Sequence, residues 1–337
     1  MRFLNLFVWI LLATTALSVD LERNVPELNR MFRSKMANLP VQNLVKVTHA
    51  QAYQDDSLTY GYWIPEIADP VIYWPENPGT PDKIEASFKL GPLLKSTNVS
   101  DVYDATDLLT GTKAAVKVLN KSNYNTYSRR QEAENELLVL ESLPKDDPHM
   151  TGFRRYLQDD EHIYQIFDLF KATKVAKLVK AQSESVARPI AEKVLGALQA
   201  MHSYNFYHMD FHDGNVFIQG DIGVIVDFST AVIGDEKHIY KTKQDRYETP
   251  ERILNLPSTP SKIDVWYLGH IIYRLVYGDY AFGSELNEEY EKRVIAGTPI
   301  FPTSPSAELD DLLTQIFVRD DDRLTLAEVA AHPWFTK

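Results

Sequence analysis

Two very short apolar stretches, Val216 to Gln219 and residues 224–226, stand between two long amphipathic runs, and each is bordered by carboxylates and amides. Segments this short can only be strands of a small sheet, positioned by whatever flanks them. The runs on either side have helical spacing: residues 185–203 carry Ile190, Val194, Leu198 and Met201, and residues 263–277 carry Leu268, Ile271, Ile272 and Leu275. The sequence therefore predicts a mainly helical body with one small polar, strand-bearing insertion. Chemistry is to be sought in that insertion.

The chain has 337 residues, of which 44% are hydrophobic and 24% charged, which suits a large folded enzyme and argues against wholesale disorder. The net charge is −12 with no basic block to offset it, so nucleic acid is not expected as a partner. Cysteine is absent, which removes disulfides, thiolate zinc sites and cysteine nucleophiles together.

Arg2 precedes an apolar run from Phe3 to Leu17, broken only by Asn5, Thr14 and Thr15, and Ala16-Leu17-Ser18 offers small residues for cleavage. Residues 1–18 read as a secretory signal. The run is short of the roughly 20 residues of a spanning helix. The mature chain is thus expected in the secretory lumen or outside the cell, with no stable membrane insertion. Residues 19–84 form an extension whose second half sets Tyr60, Tyr62, Trp63, Tyr73 and Trp74 among Pro65, Pro70, Pro75, Pro78 and Pro81. Proline at this density prevents a long helix. The aromatics read as an arm packed on the body, or as a docking site for a partner.

After residue 84 the pattern changes. Strands are expected over residues 86–92, 102–107 and 114–119, the last two joined by a turn at Thr110-Gly111-Thr112. A helix follows over 129–143, with Leu137, Leu140 and Leu143 on one face and Pro144 ending it. Strands at 153–158 and 162–167 complete a strand-rich first lobe. Residues 309–337 give two further helices separated by Asp320-Asp321-Asp322-Arg323, whose acidic run reads as a solvated helix start.

The loop His208-Met209-Asp210-Phe211-His212-Asp213-Gly214-Asn215 and the later Asp227-Phe228-Ser229 supply a carboxylate, an amide and a second carboxylate. Phosphoryl transfer needs a carboxylate to orient the attacking hydroxyl, and an amide with a second carboxylate to hold magnesium on the phosphates. Asp210, Asn215 and Asp227 fit these tasks in order. Upstream, Lys117 ends a strand and Glu136 lies in the next helix, where it can pair with the lysine and fix its ammonium. His208 and His212 have the spacing of zinc ligands on a helix, but they lie in a loop with no third ligand, which argues against a metal hydrolase.

From about residue 85 to 337 the chain resembles a eukaryotic-type protein kinase domain. Lys117 and Glu136 match the strand lysine and helix glutamate, 208–215 the catalytic loop, and 227–229 the magnesium-binding triplet. Thr249-Pro250-Glu251 resembles the end of the activation segment, Asp264 to Gly269 the start of the central helix, and Arg323 the arginine that pairs with Glu251. The resemblance implies an α+β, two-lobed fold with an N-lobe at 85–170 and a C-lobe at 171–337. It implies ATP and Mg2+ as cofactors and a protein as substrate. It also implies Asp210, Lys117, Glu136 and His212 as catalytic residues, and Asn215 and Asp227 as metal ligands. Leu94, Lys95, Val102, Ala115, Lys117, Asp168 and Phe170 would bind the nucleotide, with Phe167 at the gatekeeper position.

Several residues depart from the family pattern. Lys95, Thr97 and Ser100 stand where three glycines would let backbone amides approach phosphates, so weaker nucleotide binding is expected. Ser229 replaces a glycine, and Met209 replaces an arginine that receives an activation-loop phosphate. His212 replaces a lysine, as in small-molecule phosphotransferases of the aminoglycoside and choline type. Gln244 stands where serine/threonine kinases carry a threonine. The reading is an ATP-dependent protein kinase for Ser or Thr hydroxyls, with His212 or Lys95 stabilising charge on the transferred group. The alternatives are a pseudokinase scaffold and a small-molecule kinase.

Overall fold

The computed structural model describes residues 83–124, 127–240, 243–303 and 305–336, all within one unit of the chain. Residues 1–18, read as a signal, and nearly all of the aromatic extension lie outside the described residues. A single turn of helix, α1 (Ile84–Ser87), leads into an antiparallel sheet of order β1-β2-β3-β5-β4. Its strands are β1 (Phe88–Ser96), β2 (Ser100–Asp107), β3 (Lys113–Asn120), β4 (Phe153–Gln158) and β5 (His162–Asp168), with helix α2 (Tyr127–Ser142) between β3 and β4.

Alternation along the strands decides which side chains face which way. Ala114 and Val116 of β3 join Phe88, Ala105, Leu157, Tyr164 and Ile166 in a core on one face of the sheet. Lys117 and Leu119 therefore point to the other face, where Leu119 and Ile163 pack with Tyr124, Ala133 and Leu137 of the α2 region. Fully burying one aliphatic or aromatic side chain contributes roughly 1.5–3 kcal/mol, so each face fixes the register firmly.

Two boundaries differ from expectation. The strand expected at 86–92 begins two residues later, after α1, and runs on through Pro92 to Ser96. Proline lacks an amide donor, but β1 is an edge strand and its pairing with β2 slips between Leu90 and Leu93, so no ladder bond is required there. Helix α2 covers 127–142 rather than 129–143.

In the second lobe β6 (Thr173–Lys174) joins β8 (Val216–Gln219) and β9 (Ile222–Ile225) in a three-stranded sheet, while β7 (Phe206–Tyr207) pairs with β10 (Val232–Ile233). Helix α3 (Glu184–Ser203) lies before β7 and buries Ala187, Ala191, Val194, Leu198 and Met201 along one face. After β10 come α4 (Pro250–Ile253) and α5 (Pro260–Tyr277). Helix α5 is buried nearly all round, which makes it the core of the lobe. Pro260 starts it, and Gly278 ends it at φ 76°, where an added Cβ would lie 2.6 Å from the Ala181 nitrogen. Helices α6 (Glu288–Ala296), α7 (Ala307–Ile316), α8 (Leu326–Ala331) and α9 (Pro333–Thr336) close the lobe, three of them within the stretch where two were expected.

Within the acidic run Asp321 and Asp322 are exposed as expected, and Asp320 is a further correction. Asp320 is buried, accepting from the Thr259 amide at 2.8 Å and the Thr259 hydroxyl at 2.9 Å, and pairing with Lys237 at 3.0 Å. It anchors the start of α5 instead of facing solvent. Among the described residues no helix is long and apolar enough to cross a membrane.

Candidate active site

Lys117 projects from the α2-facing side of β3, and its Nζ lies 2.7 and 2.8 Å from the two carboxylate oxygens of Glu136 on α2. Gln165, the register partner of Lys117 on β5, donates its amide to Glu136 Oε2 at 3.1 Å. The glutamate is thus held from two directions. Lys117 also lies 3.9 Å from Asp227 Oδ1, so its charge bridges the two lobes. Burial pulls the Lys117 ammonium down, but Glu136 and Asp227 outweigh it and hold the group above the usual lysine value.

The loop before β8 hangs from Asp264 of α5. This fully buried carboxylate accepts from the His208 amide at 2.7 Å, the Met209 amide at 2.8 Å and His202 Nε2 at 2.9 Å. Met209 sits at φ 64°, a strained conformation for a non-glycine residue that the two amide bonds hold in place. The strain turns the chain so that Asp210 Oδ1 meets Lys243 Nζ at 2.9 Å while Oδ2 lies 3.7 Å from His212 Nε2. Burial alone would raise the Asp210 carboxyl, yet Lys243 and His212 hold it below its ordinary value. Asn215 Nδ2 donates to the Asp210 carbonyl at 3.1 Å.

Asp227 follows β9 at φ 69°, the second strained residue of the site, and Ser229 Oγ donates to its Oδ1 at 3.2 Å. The Lys117 charge keeps the Asp227 carboxyl below its ordinary value against burial, and Lys95 adds to this. Phe228 is fully buried, with its ring 5.8 Å from that of His208. From α2, Asn135 Nδ2 donates to the Ala231 carbonyl at 2.8 Å, tying the helix that carries Glu136 to the segment that carries Asp227.

The β1–β2 hairpin covers this cleft with no glycine from Leu93 through its turn to Asp107. Lys95 pairs in register with Val102, and Val102 with Lys117, so the three share the cleft-side face of the sheet. At the turn, Thr97 Oγ1 accepts from the Val99 amide at 3.3 Å and the Ser100 amide at 3.0 Å. Ala115 pairs with Phe167 on that same face. Leu94 is half exposed, and Phe170 packs edge-on to Phe217 at 5.9 Å. The Asp168 carboxylate does not join them. It lies on the opposite face, where Arg154 Nε donates to it at 2.6 Å, so only the backbone of Asp168 remains for a ligand in the cleft.

The oxygen donors suit magnesium. With Nδ2 of Asn215 donating to Asp210, its amide oxygen is the free acceptor end, and Asp227 contributes a deprotonated carboxylate. Two protein oxygens are what Mg2+ takes when phosphates and water complete its shell. No group of three or more His, Asp or Glu placed to hold a metal ion occurs among the described residues.

Lys243 gave no signal in the sequence, since it belongs to no spacing pattern and only the fold brings it to Asp210. Gln165 was legible only through strand register.

These features define the two-lobed protein kinase fold. The model of the protein kinase domain matches residues 91–335, and the chain belongs to this family. It is 29% identical over 263 residues to Sperm motility kinase 3A of Mus musculus, covering 76% of this chain and 51% of that protein. It is 28% identical to an Aurora kinase of Eremothecium gossypii (75% and 70% covered). It is 27% identical to Serine/threonine-protein kinase PLK4 of Nematostella vectensis (76% and 27% covered). The chain spans about half the length of the sperm motility kinase that it matches.

Proposed function

We propose that the protein transfers the γ-phosphoryl group of ATP to Ser or Thr hydroxyls of proteins in the secretory pathway or outside the cell. The observation that carries this reading is the convergence of Lys117, Asp210, Asn215 and Asp227 on one cleft, with both carboxylates held deprotonated. Magnesium, when bound, neutralises phosphate charge and fixes the phosphates for in-line transfer. Asn215 and Asp227 would hold it. Lys117, fixed by Glu136, binds phosphate oxygens, and Asp210 orients the hydroxyl and takes its proton. The face bearing Lys95, Val102 and Ala115, with the backbone at 168–170, would hold the nucleotide.

A relative named a serine/threonine-protein kinase supports the hydroxyl preference, and the apolar run after Arg2 supports the compartment. A pseudokinase scaffold is favoured by one observation, the Thr97 hydroxyl occupying the hairpin amides. Incubating the full chain with labelled ATP, magnesium and a protein extract separates the readings. Label on protein, lost in Asp210→Asn, supports the kinase; absence of any label leaves the scaffold; label on metabolites alone would mean a small-molecule kinase.

A further inference from the structure

Transfer from ATP concentrates negative charge on the phosphoryl oxygens next to Asp210, itself an anion, so a cation is required there. Among the described residues Lys95 and Lys117 face the nucleotide side of the cleft, and His208, Arg252, His212 and Lys243 lie nearer to Asp210. His208 is fully buried, its Nδ1 3.3 Å from the Asp210 amide and its Nε2 3.2 Å from the Val226 carbonyl. Arg252 is buried, donating to the Met209 carbonyl at 3.2 Å and the Tyr267 hydroxyl at 3.1 Å. His212 stacks on Tyr247 with centroids 5.5 Å apart, and its Nδ1 accepts from the Gly214 amide at 2.9 Å. That bond places the ring proton on Nε2, facing Asp210, and burial holds the imidazole below its ordinary value. His212 is therefore a neutral donor at pH 7 and supplies no full charge.

Lys243 is the fourth. Its backbone amide donates to Glu248 Oε2 at 2.6 Å, and the same oxygen accepts from the Gln244 amide at 3.0 Å. Gln244 sits at φ 53°, so this turn is fixed by one carboxylate in a strained form that sends the Lys243 side chain inward. Its Nζ reaches Asp210 Oδ1 at 2.9 Å, and the carboxylate opposes the downward pull of burial on the ammonium. An ammonium has three N–H donors, and Asp210 takes one.

We propose that Lys243 is the residue that stabilises the charge of the phosphoryl group in transit, a task the loop position His212 leaves unfilled. The assignment rests on the kinase reading above. In the step, the substrate hydroxyl oxygen forms a bond to the γ-phosphorus while the bond from that phosphorus to the β,γ-bridging oxygen breaks. The electron pair leaves with ADP, and the hydroxyl proton passes to Asp210. Lys243 keeps Asp210 ionised for this and turns its remaining N–H groups to the phosphoryl oxygens. The segment before α4 thereby completes the site, so catalysis depends on its seating on Glu248.

The chain has no cysteine, so Lys243→Cys places a single thiol in the site. Turnover should fall about 100-fold with ATP affinity by calorimetry unchanged. Alkylation with 2-bromoethylamine rebuilds an ammonium on a side chain of nearly lysine length and should restore most of the turnover. Iodoacetamide, which leaves a neutral amide, should restore none. Binding of ADP with magnesium and aluminium fluoride, a mimic of the phosphoryl in transit, should weaken about 100-fold in the thiol variant while ADP binding holds. The same loss is expected when Lys243→Cys is added to Asp210→Asn, where no carboxylate remains for Lys243 to fix. Where the thiol variant unfolds, Lys243→Met must show the same two losses. Parental turnover in the variant, or equal recovery with both reagents, overturns the assignment of Lys243 alone. A parent chain that binds ATP without transferring phosphate overturns the kinase reading and this assignment with it.

Discussion

Glu251 of α4 and Arg323, 72 residues further on, meet inside the helical lobe, with Arg323 Nη2 donating to Glu251 Oε2 at 3.0 Å. Both are buried, and the guanidinium also donates to the carbonyls of Lys262 and Val318 at 2.8 Å and lies 4.8 Å from the Trp266 ring centroid. The pair thus joins the end of the activation segment to the start of α5 and to the turn after α7. Removing Arg323 leaves the buried Glu251 carboxylate with only Arg319 Nε at 3.6 Å and the Asp320 amide at 2.8 Å, a cost of about 3 kcal/mol, the low end for breaking a buried pair. Arg323→Met is expected to lose that much in urea unfolding with an unchanged denaturant slope, whereas a loss below about 1 kcal/mol would make the pair incidental.

The hairpin over the cleft gives a prediction about nucleotide affinity. Thr97 Oγ1 occupies the amides of Val99 and Ser100, the donors that a turn of this kind offers to phosphate. Thr97→Gly frees both amides, and Thr97→Gly with Ser100→Gly also clears the neighbouring hydroxyl. ATP should bind about 5–10-fold more tightly to the double variant in calorimetric titration, a gain of about 1 kcal/mol in line with one or two recovered hydrogen bonds. Weaker binding would mean that the hydroxyls themselves hold the phosphates.

Glu184 links the first turn of α3 to the C-terminal helices, accepting from the Ser306 amide at 2.9 Å, the Ser306 hydroxyl at 2.7 Å and Trp334 Nε1 at 2.8 Å. Burial opposes its ionisation, but these donors outweigh it and hold the carboxyl below its usual 4.5. A depressed pKa contributes stability that is fully present above the unfolded value and is lost as pH falls through the folded one. Glu184→Gln should therefore melt below the parent at pH 7, and the gap should narrow as pH drops from 5 to 3. A gap independent of pH would assign the effect to packing.

How far the sequence carries depends on whether a feature is local. The two-lobed α+β class was legible because period-2 strands precede long runs of helical period, and Lys117, Glu136, Asp210, Asn215 and Asp227 occur in an order that names their chemistry. Asp320 was misread because a run of three acids looks solvated in one dimension; its burial depends on the amide and hydroxyl of Thr259, which the fold brings back from a distance. The end of β1 was misplaced because Pro92 breaks an interior strand but not an edge strand at a bulge. Asp168 was placed by resemblance beside the nucleotide; strand parity puts its carboxylate on the outer face beside Arg154 and leaves its backbone for the cleft. Lys243 was invisible for the same reason that it matters, since it acts across a tertiary contact.

The pH profile of transfer offers a separate check on Asp210. Lys243 and His212 keep its carboxyl below the ordinary 3.8 despite burial. A base with a depressed pKa stays ionised to lower pH, so the acid limb of kcat/KM should lie below pH 4 in the parent. Removing the Lys243 charge leaves burial less opposed, and Lys243→Met should shift that limb upward. An unmoved limb in the variant, with rates of both proteins followed from pH 3 to 8, would show that Asp210 is not the group that titrates.

The compartment can be tested through two sequons, Asn98-Val99-Ser100 and Asn120-Lys121-Ser122. Among the described residues Asn98 is exposed at the tip of the β1–β2 hairpin. Asn120 is different: its Oδ1 accepts from the Ser122 amide at 2.9 Å and from the Ser122 hydroxyl at 2.7 Å, so once folded its side chain is fixed in the turn after β3. Expressed with its own leader in a glycosylating host, the chain should carry glycan at Asn98 in preference to Asn120. A bulky glycan at the tip stands over the cleft that Lys95 and Lys117 face, so Asn98→Gln should turn over ATP faster than the glycosylated parent. Mass spectrometry of the secreted chain gives occupancy, and parallel assays of the two proteins give the consequence. A chain unmodified at both sites counts against entry into the secretory pathway, and full occupancy at Asn98 with undiminished turnover would mean that this hairpin does not cover the nucleotide.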